Sequence, residues 1–285
     1  MPPSPEPTYS RGLVWFRRDL RAHDQAALYH ALTRCEQVFC AFVFDKDILD
    51  ALPRADRRVE FIRESLVELD DSLRALSPQG RGGLIVWHAV ASDAIPALAN
   101  ALDAQAVFAN HDDEPQALDR DRLVRTRLAA AGKAFHTFKD HTLLERSEVL
   151  TQTGNPYSVF TPYKNAWLKK IDVFQLKSYP VERHAHHLAA RPEAHCQPVP
   201  TLQDLGFEPT ALSQLRLPTG AQGAQQLFDD FLGRIERYED TRNFPAVKGP
   251  SYLSVHLRFG TISPRLLART AHRLMLEGNP GATTW

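Results

Sequence analysis

The sequence predicts an α/β fold: a doubly wound, Rossmann-like five-stranded parallel sheet, followed by a long connecting loop and the start of an all-α domain. Five short apolar runs predict the strands, because strands covered on both faces are apolar nearly throughout. Helical patterns separate the runs, and this alternation is typical of parallel sheets with right-handed crossovers. The runs are Leu13–Phe16, Val38–Phe44, Leu84–Trp87, Ala106–Ala109 and Phe135–Phe138.

Four amphipathic segments predict the helices that cross between these strands. The clearest has apolar residues spaced by three and four, which form one stripe of a helix. Ser92 is expected to cap its helix, and Pro115 suits a first-turn position. The four segments are Asp24–Arg34, Arg57–Leu76, Ser92–Leu102 and Pro115–Ala131.

Composition along the chain predicts four parts. Residues 1–10 contain four prolines and are expected to be a disordered N-terminus. Residues 11–140 form the α/β domain, and 141–219 form an interdomain connection that lacks sustained periodicity. Residues 220–285 begin a helical domain. One helix is predicted from Ala224 to Tyr238, and a second, opened by Ser263 and Pro264, over Leu266–Leu276.

Charge and cysteine content exclude several classes of protein. Lys+Arg and Asp+Glu both total 34, so the formal net charge is zero and does not indicate a partner. Three cysteines without a Cys-x-x-Cys pair are not a disulfide framework and favour a reducing compartment. No apolar run approaches the ~18 residues of a membrane span, so we expect a cytoplasmic protein without membrane contact.

A cluster of histidines in the connection has metal-capable side chains but lacks the ligand spacing of zinc sites. We therefore predict a solvated loop there and no metal. The cluster consists of His184, His186, His187, His195 and Cys196.

Two charged groups follow predicted strands, where ligands of doubly wound sheets bind. Arg17, Arg18 and Arg21 suit either phosphate binding or salt bridges to Asp19 and Asp24. The acidic run 112–114 suits either acid/base catalysis or a solvated loop that complements a helix N-terminus. No Gly-x-Gly-x-x-Gly follows the first strand, which disfavours a dinucleotide bound in the standard way.

Three ordered blocks closely resemble stretches of the DNA photolyase and cryptochrome flavoproteins. They extend over nearly the whole chain, and within that family they look closest to the bacterial cyclobutane pyrimidine dimer photolyases. The blocks are Leu13–Arg21, Val159–Trp167, and Tyr238–Ser254 with its continuation His256–Arg265.

The resemblance implies an α/β antenna domain, a long connecting loop and a helical FAD-binding domain, of which residues 220–285 would be the first part. It implies light-driven repair of pyrimidine dimers in damaged DNA, by electron transfer from excited reduced FAD to a flipped-out lesion. A cryptochrome-type photoreceptor and a photolyase for the other major pyrimidine photoproduct are the alternatives within the family. Outside it, the alternative is an α/β nucleotide-binding or electron-transfer protein.

The resemblance also implies roles for particular residues. Tyr238 and Trp285 match positions beside the flavin, and Arg242 matches a contact to DNA. The catalytic residues are expected beyond residue 285, so the 285-residue chain is expected to be inactive alone and the complete protein to be monomeric. The segment that matches the phosphate cradle consists of Pro250, Ser251, Tyr252, Leu253 and Ser254.

Two departures from the family pattern affect cofactor binding. Pro250-Ser251 stands where the family often has Thr-Ser, so one hydroxyl and one N–H donor are lost. Gln116 and Ala117 stand where members with a folate antenna often have Asn-Glu. Because alanine cannot hydrogen-bond a pterin, a folate antenna is disfavoured. A deazaflavin, another flavin or no antenna remains open.

Overall fold

A computed structural model describes residues 7–215 and 217–285, and it confirms the five-stranded parallel sheet. The strand order is β3-β2-β1-β4-β5, with every neighbouring pair parallel. The order reverses between β1 and β4, which is the switch point of a doubly wound sheet. The strands are β1 (Tyr9–Phe16), β2 (Cys35–Asp45), β3 (Leu84–Ala89), β4 (Ala106–Asn110) and β5 (Ala134–Phe138).

Helices cover both faces of the sheet. α1 and α3 pack on one face and α4 and α5 on the other, so each face has its own apolar core. The helices are α1 (Ala26–Arg34), α2 (Lys46–Leu49), α3 (Arg57–Leu76), α4 (Ala91–Ala101), α5 (Pro115–Ala130), α6 (Phe160–Lys170), α7 (Gly220–Leu232), α8 (Tyr238–Thr241), α9 (Ser254–Phe259), α10 (Pro264–Leu276) and α11 (Pro280–Thr284). None of these helices, within the described residues, is long and apolar enough to cross a membrane.

The chain enters the sheet earlier than the composition predicts. Tyr9 and Ser10 belong to β1, so the expectation of disorder up to residue 10 is wrong for these two. The Tyr9 hydroxyl lies 2.9 Å from Nε2 of His136, and its ring packs edge-on against Phe108. These contacts hold the start of β1. The N–H of Thr8 also donates to the Arg34 carbonyl at 2.8 Å, and the part of the expectation that concerns residues 1–6 lies outside the described residues.

Two details of the predicted helices are wrong. Ser92 does not cap α4, because Val90 takes that position and the Ser92 hydroxyl instead accepts a hydrogen bond from Arg127. The helix predicted from Ala224 to Tyr238 ends at Leu232, and Gly233 follows as its C-cap. Glycine has a low helix propensity and is favoured where helices end. The helix therefore stops before Gly233, although the apolar periodicity continues beyond it.

The connection 141–219 packs on the α/β domain. Val38 of β2 and Leu188 form a parallel bridge, and the N–H of Ala189 donates to the Val38 carbonyl at 2.9 Å. Val181 and Phe207 from the connection are buried in the core on the α1–α3 face. The connection therefore completes this core, and it also contains the separate helix α6.

The helical region is joined to the sheet through α3. Its own core is small and is formed by residues of α7, α10 and α11 together with Ile235, Leu253 and Ile262. The Glu68 carboxylate of α3 accepts a 2.8 Å hydrogen bond from the N–H of Gln222 in the first turn of α7. Gly220 has a φ of +73° and lies so close to this carboxylate that a Cβ would collide with it. This contact fixes where α7 begins.

Candidate functional site

The aromatic residues predicted to lie beside the flavin converge on Phe231, near the end of α7. The Tyr238 ring lies perpendicular to the Phe231 ring with 5.6 Å between centroids, and the Trp285 ring lies 4.8 Å from Phe231. Tyr238 and Trp285 are both half-buried against the core of the helical region. Positions 47 residues apart in sequence are thus brought to one cluster.

Arg234 links this cluster to the segment predicted to bind phosphate. Its guanidinium donates to the carbonyls of Gly249 and Pro250, both at 2.9 Å, and lies 5.1 Å from the Phe231 ring and 5.9 Å from the Tyr252 ring. It also pairs with Asp230 at 3.0 Å. Arg234 therefore holds the start of the 250–254 segment against the end of α7.

The segment 250–254 presents free hydroxyl groups. Ser251 is half-buried and Ser254 is exposed, and neither hydroxyl has a hydrogen-bond partner in the described part of the chain. Tyr252 has a φ of +59°, which turns the backbone sharply between them. Leu253 is 1% exposed and packs in the core, so its side chain anchors the segment from below. No side chain caps the first N–H groups of α9.

Arg242, the predicted DNA contact, is exposed at the end of α8. Its guanidinium lies 5.9 Å from the Tyr238 ring. Within residues 7–215 and 217–285 it forms no ion pair, neither with Glu239 nor with Asp240. Its charge is therefore available to an anionic partner.

Arg17 and Arg18 of the first family-like block form ion pairs. Arg17 pairs with Asp121 at 2.6 Å and donates to the Asn110 carbonyl. Arg18 pairs with Asp112 at 3.1 Å and Glu114 at 2.9 Å. Of the two alternatives from the sequence, salt bridging is right, but the partners differ from Asp19 and Asp24. Two residues of the acidic run, Asp112 and Glu114, take part in these pairs, and the remaining one, Asp113, contacts Arg146 at 2.8 Å.

Arg21 belongs to a fully buried network between the α/β domain and the helical region. It pairs with Asp140 at 2.6 Å, and Arg265 of α10 pairs with the same carboxylate at 2.7 Å. Arg265 also pairs with Asp24 at 2.8 Å. Burial by itself raises the pKa of the Asp140 carboxyl, but the guanidinium groups of Arg21 and Arg265 outweigh it and hold this pKa below its ordinary value.

Two of the family-like blocks meet at this network. The N–H of Leu20 donates to the Phe259 carbonyl at 3.1 Å, and Arg21 donates to the Gly260 carbonyl at 3.0 Å. Gly260 ends α9 with a φ of +64°, and its Cα lies directly against the backbone of Arg18 and Asp19. The charged residues of the first block thus position the helical region on the sheet.

The other predicted sites lie outside the aromatic cluster around Phe231. The block 159–167 forms an exposed helix, α6, with no buried residue. Gln116 is exposed and Ala117 is buried in the first turn of α5. His184 packs edge-on against Tyr29, and His186 lies against His187 with ring centroids 4.1 Å apart. In the described ranges, no three potential metal ligands lie close enough to hold an ion.

The sequence model of the DNA photolyase family matches residues 12–190, more than half of the chain. The chain belongs to the DNA photolyase family. It is 37% identical to a deoxyribodipyrimidine photo-lyase of Halobacterium salinarum over 271 residues, which is 91% of this chain and 54% of that enzyme. An uncharacterised 31.6 kDa protein of Synechococcus sp. is 33% identical, with 98% of this chain and 96% of that protein covered.

Solved photolyase structures share the fold. A class III photolyase from Agrobacterium tumefaciens superposes with a TM-score of 0.79 at 26% identity, over 96% of this chain and 55% of that one. An archaeal photolyase from Sulfolobus tokodaii, solved with two FAD molecules, gives a TM-score of 0.70 at 26% identity, over 91% of this chain and 54% of that one. The chain therefore spans about half the length of the photolyases it matches.

Four residues that organise the site were not assigned a role from the sequence: Phe231, Arg234, Asp140 and Arg265. Phe231 was part of the apolar stripe of α7, and Arg234 follows Asp230 by four positions, a spacing that favours an ion pair on a helix. Asp140 and Arg265 are 125 positions apart. No local pattern indicates that they meet.

Proposed function

We propose that this chain forms the antenna domain and one wall of the FAD site of a photolyase that repairs cyclobutane pyrimidine dimers in DNA. The observation that carries the proposal is the cluster around Phe231 and Arg234. Phe231 contacts Tyr238 and Trp285, and Arg234 joins Phe231 to Tyr252 and to the start of the 250–254 segment. Membership of the DNA photolyase family and the similarity to the Halobacterium enzyme support the repair reaction.

The residues present fit part of a flavin dinucleotide. Ser251 and Ser254 offer unpaired hydroxyl donors, and the uncapped N–H groups that follow Leu253 suit a diphosphate. Tyr238 and Trp285 are half-buried aromatic residues that both contact Phe231, and aromatic rings of this kind suit packing against a flavin. When bound, FAD would supply the light-excited electron for dimer splitting. The residues described here would bind and orient its phosphates.

Binding to DNA is proposed to involve Arg242. Its exposed guanidinium has no carboxylate partner in the described residues and lies beside Tyr238, close to the proposed cofactor site. A phosphate contact next to that site would hold the duplex while the lesion rotates out of the helix. Phe244, two positions after Arg242 in the sequence, is also exposed.

We propose that this protein does not bind a folate as a second chromophore in the way that members of the family with a folate antenna commonly do. Ala117 is buried and has no polar side-chain atom, and Gln116 is exposed. Any antenna chromophore would then be a deazaflavin or another flavin. The remaining alternative is a protein without an antenna, which would use its catalytic flavin alone. Extraction of chromophores from the purified protein distinguishes these outcomes, and stoichiometric folate would contradict the proposal.

Flavin titration tests the proposed cofactor site directly. We expect the 285-residue chain to bind FAD weakly, because the described helical region encloses the ligand from one side and such pockets usually bury ~70–90% of their ligand. Replacing Ser251 and Ser254 together with alanine should weaken binding by about 30-fold, since each of the two lost hydrogen bonds to a phosphate contributes ~1 kcal/mol. Ser213→Ala, at an exposed serine outside the segment, is the matched control. Equal affinities for the double variant and the control would refute the assignment.

A further inference from the structure

A cavity of about 180 Å³ lies where the α/β domain, the connection and the helical region meet. Its wall is formed by the loop that follows β1, by α3, by Glu182 of the connection and by Ala221 of α7. A cavity of ~150 Å³ holds a molecule as large as benzene, so this one has room for a small organic ligand. None of the residues proposed above to bind FAD or DNA lines it.

A buried donor that lines this cavity has no acceptor. The Arg21 side chain is fully buried, and its terminal nitrogens donate to Asp140 and to the carbonyls of Gly260 and Asp24. Its Nε is also buried but has no hydrogen-bond partner in residues 7–215 and 217–285. Because buried N–H groups are nearly always paired, the free Nε–H indicates a place for a ligand atom that accepts a hydrogen bond.

Two carboxylates that line the same cavity have no cationic partner. Burial raises the pKa of Glu68 more than the N–H groups at the start of α7 lower it. Neither Glu68 nor Glu182 forms an ion pair with a basic side chain in the described part of the sequence. The charge of Arg21 is already balanced by Asp140. The cavity therefore has an excess of negative charge, which attracts a cation.

The rest of the wall restricts the shape of the ligand. Leu20 and Leu69 are buried apolar residues of this wall, so they suit contact with methylene groups. His23 and Glu182 are exposed, so the cavity opens to solvent on their side. A ligand that fits has a charged donor, a short apolar body and an acceptor.

We propose that this cavity binds a small organic ammonium ion that carries a hydroxyl group. The ammonium group donates to the carboxylates of Glu68 and Glu182, and the hydroxyl oxygen accepts from Nε of Arg21. The methylene groups between them contact Leu20 and Leu69. Because the wall contains parts of the α/β domain, the connection and the helical region, the bound ion stabilises their association. The inference goes beyond flavin and DNA binding and does not depend on either.

Titration of the 285-residue chain with 4-amino-1-butanol, without FAD or DNA, tests the proposal. Three compounds of similar size are controls: 1,4-butanediol lacks the charge, pentylamine lacks the hydroxyl group, and 4-hydroxybutyrate has the opposite charge. We expect the amino alcohol to bind at least about tenfold more tightly than each control, since charge-assisted hydrogen bonds are the stronger ones. Amide hydrogen exchange should slow in residues 20–23, 65–76 and 220–222 when it binds.

A pair of variants locates the ammonium group. Glu182→Gln should weaken binding of 4-amino-1-butanol by about tenfold and leave thermal unfolding of the free chain unchanged, because Glu182 is exposed and unpaired in the described residues. Glu193→Gln, at another exposed glutamate of the connection, is the matched control and should bind like the original protein. The proposal is overturned if the amino alcohol does not bind, if 1,4-butanediol or 4-hydroxybutyrate binds as tightly, if exchange slows elsewhere, or if Glu182→Gln and Glu193→Gln bind equally.

Discussion

Gly260 is the residue at which the helical region approaches the sheet most closely. Its positive φ and its contact with the backbone of Arg18 and Asp19 both require the absence of a Cβ. We expect Gly260→Ala to lower the free energy of unfolding by about 3 kcal/mol or more, because backbone strain adds to a clash that no side-chain rotation relieves.

Gly278→Ala is the control for backbone strain alone. Gly278 also has a positive φ, +85°, but nothing lies within 4 Å of its Cβ position. This variant should cost about 1 kcal/mol. Urea unfolding of both variants measures the difference, and equal costs would mean that the contact between the two blocks does not contribute to stability.

Arg242 is the residue on which the proposed DNA contact depends. In the protein complemented with the part that this chain does not span, Arg242→Ala should weaken binding to dimer-containing duplex. It should also reduce the slope of log K against log salt by about one unit, because one phosphate contact is lost. Arg273→Ala is the control, since Arg273 pairs with Glu277 on α10. If Arg242→Ala keeps the full salt slope, the residue does not contact phosphate.

The sequence predicted those features that depend on local pattern. The bounds of α3 are as predicted, because a helix buried on one face has a periodic apolar stripe. Every strand overlaps its apolar run, because strands buried on both faces are apolar nearly throughout. The sequence did not reveal the roles of Arg21, Asp140 and Arg265. Their contacts join positions 119 and 125 apart, and either partner alone resembles a solvated charge.

At the scale of elements, Asp140 joins the end of β5 to α10. Asp140→Asn would leave the buried Arg21 and Arg265 without their shared carboxylate. Removing one partner of a buried ion pair typically costs about 3–5 kcal/mol. Asp113→Asn breaks the exposed pair with Arg146 and should cost less than about 1 kcal/mol. Thermal unfolding of the two variants compares them directly. A similar small loss for both would show that the buried network does not hold the elements together.

The packing of α9 on α3 makes stability depend on pH through His256. This side chain is fully buried beside Phe61, and burial lowers its pKa from 6.5 to about 4. Between these values the unfolded chain binds a proton that the folded protein does not bind, so stability is present above pH ~6.5 and falls as the pH decreases towards 4. The slope for one such proton approaches about 1.4 kcal/mol per pH unit.

Urea midpoints at several pH values between 7.5 and 4.5 measure this slope. His256→Gln should reduce it, with part of the slope remaining because burial also lowers the pKa of His30 to about 4. His186→Gln, at an exposed position, should keep the slope of the original protein. An unchanged slope in His256→Gln would mean that the buried imidazole does not couple folding to pH.

At the scale of the whole molecule, the sheet, the connection and the helical region form one packed body. The connection buries Val181 and Phe207 in the core of the α/β domain, and the Arg21–Asp140–Arg265 network joins that domain to α10. The proposed FAD site lies in the helical region, and the chain spans about half the length of the photolyases it matches. We therefore expect repair activity when the chain is combined with the part of its relatives that it does not span.

Light-dependent repair is the measurement that tests the central claim most directly. The 285-residue chain, complexed with the unmatched part of the Halobacterium enzyme and loaded with reduced FAD, is mixed with an oligonucleotide that contains one thymine dimer. We predict loss of the dimer under blue light, none in the dark, and slower loss with the Ser251→Ala/Ser254→Ala variant. A complex that holds stoichiometric FAD but leaves the dimer intact under light would contradict the account and favour a photoreceptor.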